Sequence, residues 1–378
     1  MSSSTASATT GMKGKKPSIE IATSNPSLPE DLVVSCLARV SRLYYPTLSL
    51  VSKSFRSLIA SPDLYKTRSL LGRTESCLYL CLRYSPEDNP RWFTLCRKPN
   101  RRTLSKEKNE SSGNLLVPIP IINSPPLEWS SIVAVGSHLY AINGPIEDAP
   151  CSNVSFLDCR SHTWLEAPSM RVAHTNSQLD GKMYLAGSSE NVDSLNCIQV
   201  FSTKTQTWKP VPFQKRIFGV GDLEGKIYTI CRTECGQGVT IKPKDLTCDV
   251  VGFCGEKDWS SVCMIGNIVY FYRPNGEFLW IYSGKGESAR RNLKGLEGLP
   301  KFDDYASVKL VDYGGKLMVL WDTYVPESES KEKMIWCAEI SLQKKCNNEE
   351  IWGTVEWFDA VLTVPEDCKF VRAIAATV

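Results

Sequence analysis

Catalysis needs histidines, carboxylates or nucleophiles at defined spacing, and this 378-residue chain holds only three histidines, His138, His162 and His174. The sequence contains no serine nucleophile elbow, no phosphate-binding glycine loop and no metal-binding helix motif. Two histidines with two tyrosines can hold copper, and His138 beside Tyr140 is the nearest approach; His138 reads instead as a residue on the surface of a strand. Fifteen cysteines, an odd number, run from Cys36 to Cys368 without a CxxC pair or an even framework. That pattern describes free thiols in a reducing compartment. Cys77 with Cys81, and Cys151 with Cys159, sit where a strand would alternate, so they read as small core residues rather than metal ligands. No metal, no other cofactor and no catalytic residue is expected.

Function must then come from surfaces, and composition describes the body that carries them. Apolar residues make up 42% and charged residues 22%, with 24 Gly and 22 Pro as punctuation, the balance of a folded, turn-rich protein. The length suggests two unequal domains. No apolar run of about 18 residues exists and the first residues lack a secretory core, so a soluble protein of the cytoplasm and/or nucleus is expected, without a membrane partner. The opening MSSSTASATTGMKGKKPS is basic and Ser/Thr-rich, which loosely fits a transit peptide, but a disordered tail over residues 1–26 is the reading adopted. The first 110 residues hold 18 Lys or Arg against 9 acids, and the remainder 26 against 32, so the two parts carry opposite charge. The basic run Arg97-Lys98-Pro99-Asn100-Arg101-Arg102 reads as a solvated loop, and no nucleic-acid partner is expected.

Residues 27–72 carry helical signals. Ser27 and Glu30 have capping-box spacing with Pro29 in the first turn, predicting a helix start. Leu32, Val33, Cys36, Leu37 and Val40 recur at helical spacing as one apolar stripe. Pro46 can open a second short helix through Leu48, Leu50 and Val51. Phe55, Leu58 and Ile59 mark the face of a third, and Ser61-Pro62 begins a fourth that stops at Gly72. About 45 residues bury too little apolar surface to stand alone, so the leftover apolar face predicts a helix-bundle partner.

The string LPEDLVVSCLARVSRLYYPTLSLVSKSFRSLIASPDLY resembles an F-box. It carries the Leu-Pro-x-x-Leu opening at Leu28, Pro29 and Leu32, the middle Leu-Ala-Arg-Val, and the closing Val-Ser-Lys-x-Phe-Arg-x-Leu-Ile at residues 51–59. The resemblance implies binding to a Skp-type adaptor and through it to a cullin scaffold. It also implies that Leu28, Pro29, Leu32, Leu37, Val40, Leu50, Val51 and Leu58 form or support the adaptor-facing surface.

Beyond residue 75 short apolar runs alternate with Gly, Pro, Asn and Asp, an all-β pattern. A Gly-x-x-Tyr-like unit recurs at Gly136/Tyr140, Gly181/Tyr184, Gly225/Tyr228, Gly266/Tyr270 and, with Val319 in place of Tyr, at Gly315, with separations of 45, 44, 41 and 49 residues. That period fits a four-stranded propeller blade, each glycine turn leading into a strand near the central channel. Trp164 and Trp208 follow their strands at matching offsets and are expected to wedge between blades. Trp357 sits only loosely in that slot.

This region resembles kelch repeats. The fold expected is therefore an all-β propeller of about six kelch-type blades over residues 76–378, preceded by a small all-α F-box domain. A ring leaves no unpaired edge, so the C-terminal strand 368–378 should join the strands CLYLCLRY and RWFTLCR to close the first blade. Loops between second and third strands, at 145–150, 188–194, 233–238 and 323–333, are the expected binding surface for a protein target of unspecified identity. The resemblance implies a substrate-recognition subunit of a Skp-cullin-F-box type ubiquitin ligase that catalyses nothing itself. A stand-alone propeller, as scaffold or enzyme, is the alternative.

Overall fold

The computed structural model describes residues 28–378, apart from 87–89, 99–111, 122–123, 125–131, 143–151, 171–174, 181–183, 189–196, 203–204, 213–219, 224–225, 231–237, 242–247, 252–261, 267, 283–289, 326–330 and 346–349. Within 171–261 side chains are described only for Phe201 and residues 205–208. The expected tail over 1–26 lies outside the described residues.

Four helices come first: α1 (Glu30–Leu37), α2 (Tyr45–Leu48), α3 (Lys53–Ala60) and α4 (Pro62–Leu70), with a 3-10 turn at Arg42–Tyr44 before α2. Serine oxygens close the exposed N–H groups of three starts, Ser41 accepting from Leu43 at 3.3 Å, Ser52 from Phe55 at 3.0 Å and Ser61 from Asp63 at 3.2 Å. The capping box expected at Ser27 falls on a residue outside the described ones. Pro29 is the N-cap of α1, its carbonyl accepting from Leu32 and Val33 at 3.0 and 3.1 Å. The ring fixes Pro29 at φ −50°, so the backbone presents that carbonyl without a side-chain cap. α4 stops as expected at Gly72, whose φ is +60°: Gly72 N–H donates to Ser69 at 3.1 Å and Arg73 N–H to Arg68 at 2.8 Å, closing a Schellman motif.

The strands build six four-stranded antiparallel sheets. The second blade holds β4 (Ile132–Val135), β5 (His138–Ile142), β6 (Val154–Asp158) and β7 (Thr163–Ala167). The third holds β8 (Thr175–Asp180), β9 (Tyr184–Ser188), β10 (Cys197–Ser202) and β11 (Thr207–Pro212). The fourth runs β12 (Val220–Leu223), β13 (Lys226–Ile230), β14 (Gly238–Ile241) and β15 (Cys248–Val251). The fifth runs β16 (Val262–Ile265), β17 (Ile268–Tyr272), β18 (Phe278–Tyr282) and β19 (Arg291–Asn292). The sixth holds β20 (Lys309–Tyr313), β21 (Lys316–Tyr324), β22 (Glu332–Lys345) and β23 (Glu350–Pro365).

Both ends of the strand region build the first blade, ordered β24–β1–β2–β3, with β24 (Lys369–Thr377), β1 (Ser76–Arg83), β2 (Arg91–Arg97) and β3 (Asn114–Pro118). β24 pairs with β1 from Ser76↔Thr377 to Arg83↔Lys369. β3 is a strand that pattern reading passes over, because five residues bounded by a polar run and two prolines show too little alternation. The first strand of each blade faces its counterparts: β24 adjoins β4 and β20, β4 adjoins β8, and β8 adjoins β12. The innermost strand therefore precedes each glycine turn, one strand earlier than the repeat suggests.

Packing lies between blades rather than within them. Cys77, Tyr79, Cys81 and Trp92 of the first blade meet Ile132, Leu139, Ala141 and Leu157 of the second, while Leu78, Leu80 and Leu82, on the other face of β1, meet Met318, Leu320 and Ile335 of the sixth. Strand alternation thus sends successive β1 residues to opposite neighbours. Between the fifth and sixth blades Trp280 and Trp321 are buried, and Phe302 stacks on Trp321 at 4.5 Å. No helix among the described residues is long and apolar enough to cross a membrane.

Candidate functional site

The eight residues expected at the adaptor-facing surface divide by exposure. Leu28 (66%), Leu32 (49%), Leu50 (76%) and Val51 (64%) stand open, and Pro29 is exposed beside them. Leu37 and Leu58 are buried and Val40 is half-buried against the same core, so these three support the helices rather than face outward. The apolar stripe of α1 is in fact two stripes: Val33, Val34 and Leu37 turn inward, whereas Leu32 and Cys36, one turn apart, turn outward. Of the ten exposed large apolar side chains among the described residues, six belong to this short helical unit. The other two of the six are Leu70 and Leu71 at the end of α4, which the sequence pattern offered only as helix continuation.

Leu37, Ala38, Tyr45, Leu58, Leu64 and Tyr65 belong to the cluster that fills the wedge between the first two blades. The helical unit is thereby docked on the ring. Arg42 Nη2 donates to the carbonyl of Cys159 at 3.0 Å, and the Tyr79 hydroxyl donates to that carbonyl at 3.0 Å. Arg68, only 2% exposed, pairs with Glu75 at 2.8 Å and donates to the carbonyls of Val40 (2.7 Å) and Ala38 (3.3 Å) and to the Tyr45 hydroxyl (3.0 Å). Beside this junction a cleft of about 500 Å³ opens between α2, α3 and the outer strands of the first blade, lined in part by Leu50, Ile59, Leu95 and Ile119.

His162 lies in the β6–β7 turn at φ +56°, with Nε2 3.3 Å from the Tyr79 hydroxyl. Because that hydroxyl gives its proton to Cys159, Nε2 must carry the proton and donate. Burial, with Arg42 close by, lowers its pKa to about 4. His138 faces Phe156 at 5.1 Å and Arg160 at 3.4 Å, so it packs on the surface of its blade. Burial, modulated by Asp158 and Arg160, lowers its pKa as well. Burial would raise the Asp158 carboxyl, but hydrogen bonds from Arg160 hold it below its ordinary value. Cys77, Cys81, Cys96 and Cys159 are buried, and burial pushes each thiol above its ordinary range, to about 12 for Cys96.

Blade landmarks divide in the same way. Gly136, Gly266 and Gly315 adopt φ of +57°, +59° and +89°, the left-handed turn conformation that a side chain would strain. Tyr140 and Tyr270 are buried on β5 and β17. Trp208 is buried against Tyr140's cluster and its Nε1 donates to Pro168 at 2.8 Å, joining the second and third blades. Trp164 approaches Trp92 of the first blade at 6.1 Å. Trp357, set aside as a weak match, lies on the outer strand β23 and packs toward the first blade. Tyr184 and Tyr228 lie on β9 and β13, while Gly181 and Gly225 fall outside the described residues.

Chain direction assigns the two faces of the ring. First-to-second and third-to-fourth turns share one face, and Gly136 and Cys159 in those turns bond to Thr377 and Arg42 there. Second-to-third connections leave from the opposite face. The expected target loops belong to these connections and fall mostly outside the described residues; in the sixth blade Thr323, Tyr324, Glu332 and Lys333 belong to β21 and β22, so that connection is shorter than expected. Tyr305 and Tyr324, 54% and 38% exposed, pair there at 4.8 Å.

Residues 26–67 match the F-box domain model and residues 92–362 match the FKB95, Kelch-repeats domain model. The chain is 60% identical over 94% of its length to F-box/kelch-repeat protein At5g48990 of Arabidopsis thaliana, covering 96% of that protein. It is 56% identical to F-box/kelch-repeat protein At5g48980 of the same plant, over 94% of this chain and 92% of that one. Among solved structures, TolB from Acinetobacter baumannii aligns with 85% of this chain and 73% of its own at 10% identity and a TM-score of 0.42.

Proposed function

The chain belongs to the F-box/kelch-repeat family, and from that premise we propose that it is the substrate-recognition subunit of a Skp-cullin-F-box type ubiquitin ligase. The observation that carries the reading is the exposed apolar set Leu28, Leu32, Leu50 and Val51, with Leu32 on α1, Leu28 just before it and Leu50 and Val51 in the turn between α2 and α3, in a helical unit whose other side is already buried against the ring. Exposed apolar side chains concentrated on so few residues call for a partner that covers them. A Skp-type adaptor bridging to a cullin is the partner the F-box family supplies. The target protein is held on the opposite face, by the connections between second and third strands.

In this role the protein breaks no bond itself. It raises the effective concentration of a target lysine near the adaptor-bound conjugating machinery, so transfer gains from proximity. The place of action is the cytoplasm and/or nucleus, where such ligases meet their targets.

Capture of the full chain by a Skp-type adaptor tests the reading. Wild type should be captured, and the Leu28→Ala, Pro29→Ala pair should lose at least tenfold in affinity while its thermal unfolding stays unchanged. Wild type that is not captured would overturn the assignment.

A further inference from the structure

We propose that Glu75 is a positioning residue that couples closure of the propeller to the pose of the helices carrying the adaptor surface. The inference rests on the ligase reading for its consequence but not for its geometry. Glu75 stands between α4 and β1, where the helical unit gives way to the ring. Its backbone exchanges two hydrogen bonds with Val378, the final residue, at 3.0 and 2.9 Å. Its carboxylate accepts from the backbone N–H of Arg42 and, at 2.8 Å, from Nη2 of Arg68. One residue thus grips the end of the closing strand and two arginines of the helical unit.

Those arginines hold everything else in place. Arg68 fixes the end of α1 and the start of α2 through Val40, Ala38 and Tyr45, and Arg42 reaches across to Cys159 on the second blade. Asp158 also lies close, but Arg160 already holds it with a 2.8 Å ion pair. Arg42 Nη1 and Arg68 Nε are enclosed without a hydrogen-bond partner. Neutralising Glu75 therefore leaves the enclosed Arg68 guanidinium without its ion-pair partner and weakens the acceptor of the Arg42 backbone N–H. Residues 75 and 378 are 303 positions apart, yet the pose of the adaptor surface depends on both. A chain whose last strand has not docked cannot place Glu75, and its helices are then free to swing relative to the ring. In a ligase, closure of the ring would set the distance from target to conjugating enzyme.

Native-state hydrogen exchange on the full chain tests this, with Glu75→Gln and Arg68→Met compared with wild type. In both variants amides of α1 to α4 should exchange at least tenfold faster, while those of β16 to β18, far from the junction, keep wild-type rates. Arg68→Met removes the ion pair from the helical side and leaves the Glu75 carboxylate on the Arg42 backbone N–H, so it carries the same expectation should Glu75→Gln open the whole ring. Unchanged helix exchange in Arg68→Met would overturn the proposal, as would equal acceleration across all six blades, which marks a global loss of stability. Adaptor capture by the wild-type chain, measured alongside, reads the ligase assignment separately: its failure overturns that assignment and leaves the exchange result standing.

Discussion

His162 is enclosed beside Arg42 and Tyr79, and its neutral form is the one the fold accepts. Its folded pKa of about 4 lies below the ordinary histidine value of roughly 6.5, so between those values the unfolded chain binds a proton that the folded chain refuses. Stability therefore rises with pH across that window and is lost as pH falls through it. Going from pH 7 to pH 5 should remove about 1–2 kcal/mol through this residue. His162→Asn tolerates the left-handed backbone at φ +56° and removes the titration. Urea melts at pH 7 and pH 5 should show wild type losing more than the variant; parallel losses would refute the shift. Nothing in the spacing of three histidines announces this role, since the residues around His162 come from β1, the 3-10 turn and the β6–β7 turn.

At the scale of one helix, an apolar pattern reports that side chains avoid water without reporting whether they meet their own chain or another. Leu32 and Leu58 both fit helical spacing and both fit the F-box pattern. Leu58 is 7% exposed and Leu32 49%. Leu58→Ala should therefore cost about 2–4 kcal/mol of stability through lost burial and the cavity it leaves. Leu32→Ala should change thermal unfolding little and weaken adaptor binding by about tenfold, as truncation of an interface anchor does. Paired melts and binding titrations check this; equal stability losses would mean that α1 is buried on both faces. The start of α4 was legible because Ser61 before Pro62 satisfies an orphan N–H locally, whereas the same device at Ser52 was not read from the sequence.

For the whole molecule the decisive contact joins the first and last strands of the ring. β24 pairs along all of β1, and Val378 is buried at the seam. A chain ending at Asp367 would expose the inner edge of β1 and the cluster that Leu78, Leu80 and Leu82 share with the sixth blade. It should unfold at least 10 °C below the full chain or aggregate, as seen by scanning calorimetry and light scattering. A truncated chain that melts with the full one would show that the ring tolerates an open seam. The helical unit sits where first-to-second turns lie and the proposed target surface is at the opposite face of the ring, so the proposed adaptor and target surfaces do not overlap.

The sequence by itself determined the class of each part, because helical and strand periodicity, serine caps and glycine turns are local. Gly136, Gly266 and Gly315 mark turns that only a residue free to adopt positive φ fills without strain, and their spacing of 41 to 49 residues, with the intervening copies, counts blades without any contact being known. The need for ring closure was legible for the same reason, since a lone terminal strand cannot leave its backbone unpaired. What tertiary structure alone decided is which apolar residues stay open and how the helices join the ring. Leu28 and Leu37 look alike in a pattern. They part company because burial depends on a wedge between two blades whose walls, Tyr79 on β1 and Leu139 on β5, are separated along the chain from the helices they enclose. Glu75 gave no local signal either, for its partners are Arg42, Arg68 and Val378, and only folding brings a residue and the end of the chain within hydrogen-bond reach.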